Sequence, residues 1–142
     1  MLSKKQAKAF FLGGTALFFL IFLAMSIHSL TVGIPKNTNA DQLTDQAKHG
    51  KLLWDQNNCM GCHTLMGEGA YYAPELTRVF TRKGPGYIRA VLNARNGGWA
   101  PRGRKMVEYD FTTEEVDDII AFFEWMDNIY LNGFPPEPSI GK

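Results

Sequence analysis

The feature that most constrains this chain is a five-residue stretch, Cys59-Met60-Gly61-Cys62-His63, which contains both of its cysteines. Two cysteines separated by two residues and followed directly by a histidine form the pattern of covalent c-type heme attachment. The spacing suits the chemistry, because both thiols must reach vinyl groups on one edge of the porphyrin and the next imidazole must reach the iron. The stretch therefore predicts one covalent heme c, with Cys59 and Cys62 as thioethers and His63 as an axial ligand.

Three other roles for the cysteine pair fit the sequence less well. A thioredoxin-like redox pair follows a strand in a βαβ pattern, and no such pattern surrounds this pair. A structural zinc site needs four ligands, and no second pair of Cys or His residues completes the set. A structural disulfide does not require the adjacent histidine. Heme c is attached outside the cytoplasm in this class of protein, so the motif also predicts an exported domain.

Residues 1–34 predict a membrane anchor. The strongly apolar part, from Ala9 to Ile27, contains no Asp, Glu, Lys or Arg. At about 1.5 Å per residue it spans roughly 28 Å, close to the thickness of the hydrocarbon core of a bilayer. The lysines before it place the N-terminus in the cytoplasm and the following domain in the periplasm of a Gram-negative cell. A cleaved signal peptide is the alternative, since Ala24-Met25-Ser26 resembles a cleavage site, but the apolar stretch is longer than usual for one.

Residues 41–142 predict an all-α domain, joined to the anchor by a short linker at residues 35–40. A first helix is expected over residues 44–57, where Gly50 and Trp54 share one face. A glycine on that face allows a second helix to cross closely. Nearby His49 is expected to be solvated.

Two further helices are expected in this domain. One candidate covers residues 86–96 and ends at a pair of glycines. The last helix begins at the capping box Thr112-x-x-Glu115, continues with apolar residues at helical spacing, and is expected to stop at Asn132-Gly133. No strand alternation is convincing. Since about 100 residues form only a small core, the heme is expected to replace part of it.

Met106 is predicted as the second axial ligand of the heme iron. It lies in an irregular segment before the last helix, where a loop can place its thioether on the heme face opposite His63. His/Met ligation suits electron transfer. A bis-His site using His28 or His49 is a weaker alternative. The other methionines belong to the anchor, lie too close to His63, or fall in the packed stripe of the last helix: Met1, Met25, Met60, Met66 and Met126.

The charged residues of the domain are segregated along the chain. Every charged residue from 78 to 105 is basic, and every charged residue from 108 to 127 is acidic. Helix capping and pairing with heme propionates explain part of this pattern. We hypothesise that a charged patch also steers an incoming redox partner. The net charge of the whole chain is only +1, so the chain lacks the excess of positive charge that is typical of nucleic-acid-binding proteins.

The run from Gly67 to Leu76, GEGAYYAPEL, follows the heme motif. Together with the anchor, the methionine before a terminal helix and the FPP after that helix, it resembles the cytochrome c subunits of bacterial nitric oxide reductases. The resemblance covers nearly the whole chain and implies a single transmembrane helix followed by a class I cytochrome c-like heme domain. In that fold a proline at the position of Pro74 offers its carbonyl to the proximal imidazole, which orients the ring; the alternative is a simple turn proline.

The resemblance also implies partners and a function. Single electrons would come from a periplasmic cytochrome c or cupredoxin and pass to a large catalytic membrane subunit, which carries b-type hemes and a non-heme iron and reduces NO to N2O. This chain itself would have no catalytic site. The family further implies a calcium ion at the subunit interface, held by backbone oxygens that match Gly69 and Tyr71. The run GEGAYYAPEL is then a contact surface, or alternatively a tight loop packed on the heme edge.

Two other functions compete with this one. A free-standing, membrane-tethered cytochrome c shuttle would need a long flexible tether, and residues 35–40 are short for that purpose. An enzyme in its own right, such as a peroxidase or an NO-binding cytochrome, would need an open iron position, which Met106 argues against.

Overall fold

The computed structural model describes residues 3–94 and 105–133. The chain consists of two compact units, Met1–Ala40 and Asp41–Lys142. Several sequence features lie outside the described residues. They are the predicted helix end at residue 96 with the glycine pair that follows it, the FPP run after the last helix, and Arg95, Arg102 and Arg104 of the basic block.

The N-terminal unit is one long apolar helical segment. Helix α1 covers Lys4–His28 and begins at a capping box between Ser3 and Gln6. A π-helical turn, Ser29–Gly33, leads into helix α2, Ile34–Thr38. The segment Lys4–Thr38 has a mean hydropathy of 2.3 over its most apolar part, and none of that part is buried. It is long and apolar enough to cross a membrane, as predicted.

The linker predicted at residues 35–40 is helical through Thr38, and the two units divide between Ala40 and Asp41. Pro35 lies in the first turn of α2. The helical segment is nevertheless continuous from Lys4 to Thr38, with a π-helical turn, Ser29–Gly33, just before the proline. The helix ends at Asn39, which has a left-handed φ of 48°.

The second unit consists mainly of three helices. Helix α3 covers Asp45–Gln56, α4 covers Val79–Leu92 and α5 covers Thr113–Asp127. Short 3-10 turns occupy Ala40–Gln42 and Cys59–Gly61. Two-residue strands, β1 at Thr64–Leu65 and β2 at Glu68–Gly69, pair in antiparallel fashion. The predicted all-α class is confirmed, although the small hairpin was not expected.

Two helix boundaries differ from the prediction. Helix α4 begins at Val79 rather than residue 86, because a kink at Gly84, with φ 78° and ψ 162°, joins two shorter helices. The following Pro85 disfavours helical backbone at residue 84, and glycine accepts the positive φ. Helix α5 begins at the predicted Thr112–Glu115 capping box but ends at Asp127, before Asn132.

The core lies where α3 and α5 cross. Trp54 of α3 packs edge-on against Phe123 of α5, with ring centroids 5.6 Å apart. The apolar stripe predicted for the last helix is buried in this core: Val116, Ile119, Ile120, Phe122, Phe123, Met126 and Ile129. Gly50 allows the crossing, since a Cβ built there would lie 1.9 Å from the Asp118 carbonyl oxygen. The close helix approach expected at Gly50 is therefore present.

Helix α4 is attached to α5 by Asp127. Arg78, the N-cap residue of α4, makes no side-chain cap hydrogen bond. Instead the Thr81 N–H donates to Asp127 Oδ2 at 2.6 Å, and Arg78 Nη1 donates to the Asp127 carbonyl at 2.7 Å. Asp127 thus caps α4 from a neighbouring helix and places the preceding loop against the core.

Candidate heme attachment site

The C-x-x-C-H motif forms a tight turn directly after α3. Asn58 adopts a left-handed conformation with φ 50° and starts the 3-10 turn. The backbone N–H groups of Cys62 and His63 both donate to the Cys59 carbonyl, at 3.1 and 2.9 Å. Both thiols are free, Cys59 half-buried and Cys62 exposed. Burial raises the pKa of the Cys59 thiol to about 11, so the unattached thiol is protonated at neutral pH.

The His63 imidazole is oriented by Pro74. His63 Nδ1 lies 2.7 Å from the Pro74 carbonyl oxygen. Since a carbonyl only accepts, Nδ1 carries the proton, and Nε2 keeps the lone pair that a metal ligand requires. Burial lowers the pKa of His63, and the hydrogen bond to Pro74 only partly offsets this effect. The ring is therefore neutral at pH 7, in the tautomer suited to bind iron through Nε2.

The segment after the motif, residues 69–76, is bound along it, and we call this segment the clasp. Three backbone N–H groups of the clasp donate to carbonyls of residues 60–64: Ala70 to Met60 (3.0 Å), Ala73 to Cys62 (2.8 Å) and Leu76 to Thr64 (2.9 Å). The clasp begins at Gly69, whose φ is +113° and whose Cβ, if present, would lie 2.2 Å from the His63 carbonyl oxygen. A glycine is required there, because a side chain would collide with the backbone of the heme motif.

Tyr71 and Tyr72 form the tip of the clasp. Their side chains are 78% and 54% exposed. The residues on either side, Ala70 and Ala73, are bound to the heme motif. The two aromatic rings are therefore presented to solvent next to the motif, on a backbone held at both ends.

Met106 lies in an irregular segment and is half-buried. Tyr109, three residues later, stacks on Phe111 with ring centroids 5.0 Å apart. Burial raises the pKa of Tyr109 above its usual value. The assignment of Met106 as an iron ligand stays a prediction.

His49, the alternative ligand on α3, is bound elsewhere. Its Nδ1 lies 2.6 Å from Asp118 Oδ2, and its side chain is 50% exposed. The expectation of a solvated His49 was therefore only half right, because it pairs with α5. His28, the other alternative, belongs to the N-terminal unit.

These residues fit a covalent heme. The motif supplies two free thiols and a neutral imidazole, and the Trp54 ring centroid lies 6.3 Å from that of His63. Two buried polar atoms beside the motif, Trp54 Nε1 and Thr64 Oγ1, have no hydrogen-bond partner within residues 3–94 and 105–133. The surroundings are thus largely apolar but retain donors and acceptors that the described protein does not use.

Comparisons with known proteins agree with this geometry. The cytochrome c family matches residues 47–127. The nitric oxide reductase C subunit of Halomonas halodenitrificans is 40% identical, with 97% of each chain covered. The proteins of the same name from Stutzerimonas stutzeri and Paracoccus denitrificans are 38% and 37% identical, and at least 94% of each chain is covered. The chain belongs to this family of nitric oxide reductase cytochrome c subunits. Membership in the cytochrome c family implies covalently bound heme c.

An apolar cavity of about 510 Å³ in this cytochrome c domain borders the motif at Met60. Its described lining includes Trp54, Leu65 and Phe122, but neither cysteine, nor His63, nor Met106. We therefore do not assign this cavity to the heme.

Three residues near the site were not identified from the sequence. Glu75, Thr77 and Arg82 bind one another around the end of the clasp. Their hydrogen bonds join a loop to a helix through backbone carbonyls, and no residue spacing signals such contacts. The positive φ of Gly69 and its contact with His63 give the physical reason for a glycine at that position.

Proposed function

We propose that this chain is the electron-transfer subunit of a nitric oxide reductase complex. The observation that carries the proposal is the fixed tautomer of His63 inside a C-x-x-C-H motif, in a chain whose full-length relatives are named as C subunits of nitric oxide reductase. A site built to hold an iron ligand rigidly suits electron transfer, because little has to reorganise when the iron changes oxidation state.

The residues of the site have separate roles. Cys59 and Cys62 would form the thioether bonds, His63 would bind the iron through Nε2, and Pro74 holds the ring through Nδ1. Met106 would supply the second ligand and so close the iron to exogenous ligands. When bound, the heme c accepts and donates one electron at a time. The protein orients it, excludes water with the aromatic core and keeps its iron coordinatively saturated.

The electron path runs across the periplasmic side of the cytoplasmic membrane. We assign residues 1–34 to a single-pass anchor with a cytoplasmic N-terminus, since Lys4, Lys5 and Lys8 precede the apolar stretch. Residues 41–142 form the periplasmic heme domain. The proposed electron donor is a small cytochrome c or cupredoxin, and the proposed acceptor is a catalytic membrane subunit with b-type hemes and a non-heme iron. There two NO, two electrons and two protons give N2O and water.

The clasp tip is the proposed contact surface for the catalytic subunit. Tyr71 and Tyr72 are exposed aromatic residues on a fixed backbone, and tyrosine is a frequent anchor of protein interfaces. A calcium ion bound by backbone oxygens of Gly69 and Tyr71 stays a prediction from the family. Within the described residues there is no group of three or more His, Cys, Asp or Glu side chains that would hold a metal.

Co-purification tests the proposed function against the free-standing shuttle. The full-length chain, tagged and extracted from its native membranes in mild detergent, is expected to bring down a larger subunit with b-type heme and non-heme iron. Heme typing and metal analysis of the purified material identify those cofactors and any calcium. Recovery of this chain alone with its heme c, over a range of mild detergents, would favour the shuttle.

The axial ligand is tested separately by Met106→Ala. Oxidised His/Met cytochromes show a weak charge-transfer band from the methionine sulfur to the iron, and this band is expected to disappear in the variant. Met60→Leu is the matched control, because it removes a thioether inside the motif and is expected to leave the band unchanged. A band that survives in Met106→Ala would show that another residue is the ligand.

A further inference from the structure

A single arginine of α4 binds the clasp beside Pro74. Arg82 Nη2 donates to the Glu75 carbonyl at 2.8 Å, and Arg82 Nε donates to the Thr77 carbonyl at 3.1 Å. The same Nη2 lies 3.5 Å from Glu75 Oε2. Glu75 directly follows Pro74, whose carbonyl accepts the hydrogen bond of His63. The guanidinium therefore binds the carbonyl of Glu75, which directly follows the Pro74 carbonyl that orients the imidazole.

The rest of this turn is closed by Thr77. The Thr77 side chain is buried, its N–H donates to Glu75 Oε1 at 2.6 Å, and its Oγ1 accepts from the Met66 N–H at 2.6 Å. Leu76 N–H donates to the Thr64 carbonyl on the side of the heme motif. Residues 74–77 are thus bound to the motif on one side and to Arg82 on the other.

Arg82 is itself placed by the fold. It lies in the first turn of α4, and the start of that helix is bound to α5 through Asp127. Two donors of one planar guanidinium reach two carbonyls, which a lysine ammonium with a single nitrogen cannot reproduce in the same geometry. Through this contact, the packing of α4 against α5 determines where the backbone next to the Pro74 carbonyl lies.

We propose that Arg82 is a positioning residue for the proximal heme ligand. By holding the carbonyls of residues 75 and 77, it fixes the direction of the Pro74 carbonyl and so the strength of the His63 Nδ1 hydrogen bond. A strong bond at Nδ1 makes the imidazole a better electron donor, which stabilises oxidised iron and lowers the reduction potential. The inference rests on the proposed function in one respect, namely that His63 binds heme iron.

Two variants separate this geometric effect from the effect of charge. Arg82→Lys keeps the positive charge but loses the two-pronged contact, so the midpoint potential of the heme is expected to rise. Arg82→Gln also removes the charge, which by itself lowers the potential, so its value is expected below that of Arg82→Lys. Lys83→Gln is the matched control for charge, because Lys83 is the next residue and contacts the Tyr87 ring rather than the clasp.

The measurements are made on the heme-loaded, full-length chain in detergent. The side chain of Arg82 is 45% exposed, so its substitution is not expected to prevent folding. Besides the potential, solvent exchange of the His63 Nδ1 proton is followed by NMR in the reduced protein. Loss of the support is expected to speed this exchange about tenfold in Arg82→Lys, a factor typical of weakening one hydrogen bond, and to leave Lys83→Gln unchanged.

The outcomes distinguish this inference from the proposed function. An unchanged or lowered potential in Arg82→Lys, or an unchanged Nδ1 exchange rate, would overturn the role of Arg82 while leaving the heme and the complex intact. If Arg82→Gln gives no heme-loaded protein, Arg82→Lys alone decides the question. Absence of covalent heme from the unmodified chain would instead overturn the proposed function.

Discussion

The crossing of α3 and α5 makes a sharp prediction for Gly50→Ala. Gly50 is buried in the interior of α3, so alanine fits its backbone without strain. The added methyl group would nevertheless lie 1.9 Å from the carbonyl oxygen of Asp118, 2.5 Å from its carbonyl carbon and 2.9 Å from the backbone nitrogen of Ile119. These are backbone atoms of a helix and cannot rotate away, so the two helices must separate by more than 1 Å, judged against ordinary van der Waals contact distances of about 3.5–4.0 Å.

The magnitude follows from two opposing contributions. Overpacking a tight site costs about 1–3 kcal/mol and occasionally more. Alanine recovers about 1 kcal/mol over glycine in a helix interior. Because the obstruction is backbone and the crossing lies over Trp54 and the core of the domain, we place the cost at the upper end. The expected net loss is about 2 kcal/mol, which for a domain of this size lowers the melting temperature by roughly 10 °C.

Denaturation by guanidinium chloride tests this value. The heme-loaded full-length chain is unfolded in a fixed detergent and followed by circular dichroism and by tryptophan fluorescence. Gly86→Ala is the matched control, since Gly86 is also helical but has no atom within 4 Å of an added Cβ. It is expected to be neutral or stabilising by up to about 1 kcal/mol. If Gly50→Ala were as stable as Gly86→Ala, the two helices would not be held as closely as the contacts at Gly50 require.

Three further predictions address the clasp, the α4 cap and the charged blocks. Gly69→Ala is expected to lower the ratio of heme-stained to total chain, because its positive φ and its contact with His63 both oppose a side chain; an unchanged ratio would contradict the clasp's importance. Asp127→Ala removes the cap at Thr81 and is expected to cost about 1–2 kcal/mol in the same denaturation assay, whereas no loss would mean that α4 is held by other contacts. Electron transfer from the proposed donor is expected to slow as added salt screens charges beyond about 10 Å at 0.1 M, and a rate independent of salt would refute steering.

The features that could be predicted from the sequence are those that depend on residues close together along the chain. The C-x-x-C-H spacing, the Thr112–Glu115 capping box and the shared helix face of Gly50 and Trp54 each involve residues within a few positions of one another. Their geometry follows from backbone rules that hold in any fold. The predicted contacts therefore appear in the structure where a short-range rule determines them.

What could not be predicted depends on pairs distant along the chain. Asp127 looks like one more acid of an acidic helix, yet it caps α4 at Thr81, 46 residues earlier. The hairpin of β1 and β2 was missed because two-residue strands are too short to show alternation.

The run GEGAYYAPEL shows why a contact surface and a tight loop beside the heme are not exclusive interpretations. The segments that flank its tyrosines are bound to the heme motif through backbone N–H groups, which explains the small residues Gly69, Ala70 and Ala73. The Pro74 carbonyl then accepts the hydrogen bond of His63. The two tyrosines, between Ala70 and Ala73, face solvent. Both ends of the tyrosine tip are therefore bound to the backbone whose Pro74 carbonyl orients the His63 ring. Arg82 holds the next carbonyl, that of Glu75, so one short segment both presents the tyrosines and supports the imidazole.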